Sequence, residues 1–134
     1  MTMQLLRQLL GRTPSSPSGR VRNYLANRRL GAQWMVIHEN VINPGGAVPW
    51  HSHAIEEVIV VLDGFGECRT SAGSEAYRAG DVIIVSAHEP HAVHNTSDTA
   101  LRQLCIFGGE PNTLFLEGEN SDMVVEVFNT PKGT

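Results

Sequence analysis

Two histidines and a carboxylate lie within one short stretch, Trp50-His51-Ser52-His53-Ala54-Ile55-Glu56-Glu57. Side chains alternate between faces along an extended strand, so positions 51, 53 and 57 share parity and can converge. Neutral imidazole and ionised carboxylate each offer a lone pair to a cation at about 2.0–2.2 Å. This is part of a divalent metal site, and it needs a further ligand. His91 is the candidate, because an apolar strand near residues 81–86 and the turn Ala87-His88-Glu89-Pro90 bring a new strand up to the first. Nitrogen and oxygen donors without thiolate suit Fe, Mn, Ni, Co, Zn or Cu, one ion per subunit, and do not select among them. Four protein ligands leave one or two positions of an octahedral ion open, which separates a catalytic from a structural metal. Glu57 is in addition a candidate proton acceptor, since its basicity would be set by the ion.

An isolated histidine on a strand is usually an ordinary core or surface residue, and His38, His88 and His94 are read that way. His88 has a second reading, as a cavity-facing acid, base or substrate contact. For His51, His53, Glu57 and His91 the balance reverses, because four such groups meeting inside a fold without a cation leave many polar atoms to satisfy.

The elements that must position these groups are strands. From Trp34 onward, short β-branched runs alternate with glycine, proline and asparagine, the texture of an all-β sandwich or barrel. Strands are expected at 33–42, 47–51, 56–63, 65–70, 74–77, 81–86, 91–95, 99–107 and 122–128. Asp63-Gly64 reads as a tight hairpin between two of them, and further turns fall at Ser71-Ala72-Gly73 and Ala79-Gly80-Asp81. Ahead of residue 33 the texture differs. Leu5, Leu6, Leu9 and Leu10 fit one face of a short helix over 2–10, residues 11–19 read as a Pro/Ser/Gly linker, and 22–29 carry a weak helical signal. The expected organisation is an N-terminal extension over 1–32 and a β-domain over 33–134.

Ile59 and Val61 share parity with Glu57 and are expected to line the interior, as is Val93 beyond His91. The implied pocket is small and apolar with a polar metal end, fit for a small organic molecule that chelates through oxygen. Gln103 is the polar wall candidate, able to orient a ligand oxygen. Arg102, of opposite parity, takes its place if the register is the other one. Met35, Ile37, Trp50, Cys105 and Phe115 are further wall candidates, with core packing as the default for the apolar ones.

A formal charge of −4 argues against a nucleic-acid surface. No uninterrupted apolar run approaches the roughly 20 residues that span a bilayer. Arg7 and Gln8 break the leucines of the N-terminus, so a signal-peptide core is not expected either. Cys68 and Cys105 are far apart and read as free buried thiols, consistent with a reducing compartment. The expectation is a cytoplasmic protein whose partner is a small molecule, with no membrane or nucleic-acid role.

The motifs resemble those of the cupin superfamily. Gly45, His51, His53, Glu57 and Gly64 match the first motif, G-x5-H-x-H-x3-E-x6-G, without a spacing error. Gly80, His91 and Asn95 match the second, G-x5-P-x-G-x2-H-x3-N, with Ser86 at the proline and His88 at the second glycine. The resemblance spans roughly residues 33–107. It implies a double-stranded β-helix (jelly-roll) barrel behind the N-terminal extension, with metal at His51, His53, Glu57 and His91. By similarity to small cupins, the preferred activity is a dioxygenase-like oxidoreductase acting on an enolic, phenolic or diketone-like substrate. A non-redox lyase, isomerase or cyclase and a non-catalytic binding domain are the alternatives. Small cupins commonly pair through outer strands, which implies a homodimer.

Overall fold

In the computed structural model, residues 3–6, 11–12 and 18–116 are described. Among them the regular structure is entirely β: β1 (Gly11–Arg12), β2 (Arg20–Ala26), β3 (Val36–Ile42), β4 (Ala47–Ser52), β5 (Glu57–Asp63), β6 (Phe65–Thr70), β7 (Gly73–Arg78), β8 (Val82–Val85), β9 (His91–His94), β10 (Leu101–Phe107) and β11 (Leu114–Phe115). They form two antiparallel sheets, ordered β1-β2-β3-β10-β5-β8 and β11-β4-β9-β6-β7.

Period-two alternation explains which face of each strand is buried. Along β3, Val36, His38, Asn40 and Ile42 point inward, and along β10 Leu101, Gln103, Cys105 and Phe107 do the same. The apolar members gather in two clusters. One is Ile42, Val48, Val61, Cys68, Tyr77, Val93 and Leu101. The other is Tyr24, Val36, Ile59, Val85, Cys105 and Phe107. Each fully buried aliphatic or aromatic side chain contributes about 1.5–3 kcal/mol, so these clusters hold the two sheets face to face.

Four expectations need correction. The segment 22–29 is not helical: Arg20–Ala26 is a strand paired with β3 from Arg20↔Ile42 to Ala26↔Ile37. Its alternation of Arg20, Arg22 and Tyr24 satisfies an inward face, and sheet pairing overrides a weak helical pattern. Gly11–Arg12, read as linker, pairs with Tyr24 and Asn23. Asp63-Gly64 is not a hairpin, because β5 and β6 belong to different sheets. It is a corner where the chain crosses between them. Gly64 has φ +84 and its missing Cβ would lie 2.7 Å from the Ala100 carbonyl oxygen, so a tight corner requires glycine there. The true hairpin joins β6 to β7, with Thr70 opposite Gly73. Of the helix expected over 2–10, residues 3–6 are not helical; the rest of it, and the strand expected at 122–128, lie outside the described residues.

Asn95 ties the corner after β9. Its amide donates to the carbonyls of Ile42 (2.9 Å) and Thr99 (2.7 Å), and its oxygen accepts from Ser97 N (2.9 Å) and Oγ (2.7 Å).

Candidate metal centre

His51 lies at the end of β4 directly opposite His91 at the start of β9, and their ring centroids are 4.1 Å apart. A register shift between Val48 and His51 in this pair re-aims the end of β4. β4 stops at Ser52, and the bend at Ala54-Ile55 returns the chain so that Glu57 opens β5 with its side chain inward. His53 stands just ahead of that bend, where its carbonyl accepts from His88 N at 2.7 Å while the next amide, Ala54 N, donates to the Pro111 carbonyl at 2.7 Å. All four side chains are buried.

Their donor atoms face one point. One ring nitrogen of each histidine and a Glu57 oxygen all lie within 4.8 Å of one another. His51 Nε2 is 3.1 Å from His53 Nε2, and Glu57 Oε1 is 3.1 Å from His91 Nε2 and 3.4 Å from His53 Nε2. Ligand atoms at right angles about 2.1 Å from a single ion stand about 3 Å apart, so these separations suit a shared cation.

The other nitrogen of each ring is occupied. His51 Nδ1 donates to the Pro49 carbonyl (2.6 Å) and His91 Nδ1 to the Glu89 carbonyl (2.9 Å), while His53 Nδ1 shares a hydrogen bond with Thr113 Oγ1 (2.9 Å). A carbonyl accepts only from N–H, which puts the proton of His51 and His91 on Nδ1 and leaves Nε2 as the inward lone pair. Thr113 was not anticipated from sequence. It precedes β11, whose pairing of Phe115 with His51 and Leu114 with Ser52 lays this segment along β4. Nothing in its local sequence signals that role.

The electrostatics follow from burial and contact. Burial, followed by the neighbouring His91 and His53, holds His51 well below its ordinary 6.5, so it stays neutral. Burial alone would raise Glu57, but the hydrogen bonds from His53 and His91 outweigh it and hold the carboxyl well below its ordinary value. Burial likewise opposes charge on His91, yet its hydrogen bond to Glu57 raises it above 6.5. Without a cation, these opposite directions favour a hydrogen-bonded pair of charged His91 and ionised Glu57, and a metal would displace the proton from His91 Nε2.

A narrow cavity adjoins this cluster between the sheets. Ile59, Val93, Gln103 and Phe115 line it, together with Arg20, Arg22, His38 and Asn40, which sequence reading had not placed there. The signal was present as alternation, in Arg20/Arg22/Tyr24 and His38/Asn40. Gln103 rather than Arg102 points inward; Arg102 is exposed and pairs with Glu39 at 2.7 Å. Other candidates lie elsewhere. Val61 and Cys105 are packed in the two apolar clusters. Met35 is exposed, Ile37 alternates outward from buried Val36 and His38, and Trp50 lies under Arg69 at 5.0 Å. His88 is exposed and outside the cavity lining. Its φ of +67 keeps the left-handed turn of the glycine it replaces, and that geometry turns the side chain to solvent.

A family model described as a cupin domain matches residues 39–107. The chain is a cupin. Solved structures agree on the fold. The polyketide cyclase RemF from Streptomyces resistomycificus is 21% identical, covering 96% of this chain and 98% of its own, with a TM-score of 0.72. A protein with a double-stranded β-helix domain from Klebsiella pneumoniae is 15% identical over 87% of this chain and 100% of its own, with a TM-score of 0.70. Oxalate decarboxylase from Bacillus subtilis is 22% identical over 81% of this chain but only 30% of its own length, with a TM-score of 0.70. No curated protein matches the sequence. The cupin fold thus accommodates cyclase and decarboxylase activities alike, and among the described residues no helix is long and apolar enough to cross a membrane.

Proposed function

We propose that this cupin is a metal-dependent enzyme acting on a small organic substrate that chelates through oxygen, and that His51, His53, Glu57 and His91 hold the ion. The observation that carries the reading is the inward convergence of the histidine Nε2 atoms on one Glu57 oxygen, with the Nδ1 atoms occupied by their own partners. A bound divalent transition metal would supply a Lewis-acidic centre with one or two positions open to substrate oxygens or dioxygen. The protein residues do the rest. Glu57 accepts a proton from the acidic hydroxyl of an enol or phenol as it binds. Gln103 orients the substrate's oxygen, and Ile59, Val93 and Phe115 exclude water around it.

The reaction class we assign first is a dioxygenase-like oxidation. A non-redox cyclase or lyase is the second reading, favoured by buried, neutral His38 in the cavity wall and by the full-length structural likeness to a polyketide cyclase. The test is oxygen uptake by Fe(II)-loaded and Zn(II)-loaded protein with a panel of catechols and 1,3-diketones. Uptake with Fe(II) alone supports oxidation. Substrate loss without uptake, equal under argon, overturns it in favour of the non-redox reading.

We also propose a cytoplasmic homodimer paired through outer strands. Edge strand β8 supports the pairing, with Val82 57% and Ile84 67% exposed. A monomer by sedimentation equilibrium at 50 μM, a concentration chosen for the assay, would reject it.

A further inference from the structure

The six-stranded sheet carries an inward polar row that metal binding leaves unexplained. Arg22 on β2 stands opposite Asn40 on β3, which stands opposite Gln103 on β10. Arg20 is one inward position along β2 and His38 one inward position along β3. All five are buried, and all line the cavity that also touches His51, His53, Glu57 and His91. The row runs between the two apolar clusters, where sheet packing alone would favour aliphatic side chains.

The atoms of this row are prepared for a ligand. Tyr77 Oη donates to Gln103 Oε1 at 2.8 Å, and burial keeps that phenol protonated by raising it far above its ordinary value. With its oxygen taken, the Gln103 amide has its N–H groups left to offer. Asn40 Oδ1 and His38 Nδ1 are buried and have no hydrogen-bond partner. Buried polar atoms are nearly always satisfied, so two such atoms on one wall of one cavity mark a place for polar groups of a ligand. Arg20 and Arg22 place two guanidinium groups on the same wall, where Arg22 Nη1 also donates to Tyr24 Oη at 3.2 Å.

We infer that Arg20, Arg22, His38, Asn40 and Gln103 form a second subsite, facing the metal-ligand cluster, for an anionic oxygen of the substrate beside a hydroxyl. The guanidinium groups and the Gln103 amide donate to the anion, and Asn40 Oδ1 accepts from the hydroxyl. The substrate is then held at both ends, oxygens toward the metal ligands and a carboxylate or acidic enol oxygen against β2, β3 and β10, once the cavity, about 20 Å³ in this structure, widens to admit it. The two-ended pose rests on the proposed function, and the subsite itself does not.

The test compares binding of 3,4-dihydroxybenzoate, its neutral amide 3,4-dihydroxybenzamide, and catechol to the protein as purified, with metal content measured on the same sample. The expected result is that the acid binds about tenfold or more tightly than the amide, the scale of one charge-assisted hydrogen bond, and that Arg22→Gln brings the ratio to within about twofold at unchanged metal content. Catechol weakened by Arg22→Gln as strongly as the acid identifies a phenolate in the subsite; catechol unaffected identifies a carboxylate. If Arg22→Gln does not fold, Gln103→Glu replaces a donor by a like charge and is expected to abolish the preference for the acid. Equal affinity for acid and amide, or a ratio unmoved in a folded variant, overturns the subsite. Benzoate against benzamide repeats the comparison without a chelating end. A preference there in protein that takes up no added divalent transition metal keeps the subsite and rejects the proposed function, and metal bound with no preference does the reverse.

Discussion

Thr113→Val removes one hydroxyl from the outer shell of the cluster while keeping side-chain volume. The backbone carbonyls of Pro49 and Glu89 anchor His51 and His91, and no substitution of those residues deletes a carbonyl. His53 depends on a side chain, Thr113 Oγ1 at 2.9 Å, and it lies beyond the end of β4 rather than in a strand. Losing the hydroxyl removes the hydrogen bond that fixes the orientation of the imidazole. Outer-shell partners of this kind are worth about 10–100-fold in metal affinity, or ~1.4–2.7 kcal/mol. The fold loses less, since one neutral hydrogen bond contributes ~0.5–1.5 kcal/mol net. Competition for Zn(II) against a chelating dye reads the affinity, and urea unfolding of the metal-free protein reads the stability. Thr113→Ser is expected to restore most of the affinity. Zn(II) affinity within threefold of the parent in a folded Thr113→Val protein would refute the role assigned to this hydrogen bond.

Other perturbations probe the interior. Burial holds His38 and His51 well below the ordinary 6.5, so the unfolded chain binds protons there that the folded chain refuses. Metal-free stability should therefore fall with acidification below pH 6.5, by up to ~1.4 kcal/mol per pH unit for each histidine. His91, raised above 6.5, offsets part of this loss near pH 6.5, where the unfolded imidazole is only half protonated, and adds little slope well below it. Urea titrations at stepped pH check this, and a flat profile between pH 6.5 and 5.5 contradicts it. Burial pushes the Cys68 thiol up to about 11 and holds Cys105 well above its ordinary value, so neither should react with iodoacetamide at pH 8 until the protein unfolds. Mass-spectrometric labelling of either in the folded protein would count against this packing. Gly66→Ala places a Cβ 2.6 Å from the His94 carbonyl oxygen and should cost about 1–3 kcal/mol by chemical denaturation; a neutral result would mean β6 and β9 are less closely apposed.

Much of this architecture was legible because strand parity is a strong constraint. A one-residue slip reverses every side chain, and the inward sets 36/38/40/42 and 101/103/105/107 obey it. The convergence of His51, His53 and Glu57 was readable for the same reason, and that of His91 from the strand and turn before it. What parity does not encode was missed or misread. The spacing Asp63-Gly64 is the same for a hairpin as for a corner between sheets, and only pairing partners distinguish them. β2 became a strand because β3 offers it a paired edge, a long-range event that a short window cannot contain. Thr113 reaches His53 across 60 residues of sequence, and no local pattern announces such a contact. The polar row of Arg22, Asn40 and Gln103 exists only through the registers of three strands.

The central claim is that His51, His53, Glu57 and His91 bind one metal ion. Anomalous diffraction from crystals of the purified protein, recorded at the absorption edge of whichever transition metal elemental analysis finds, tests it most directly. The expected map has one peak per chain, at about 2.0–2.2 Å from the inward nitrogens and the Glu57 carboxylate. A metal-loaded protein with no peak there, or with its peak at other residues, would contradict the assignment.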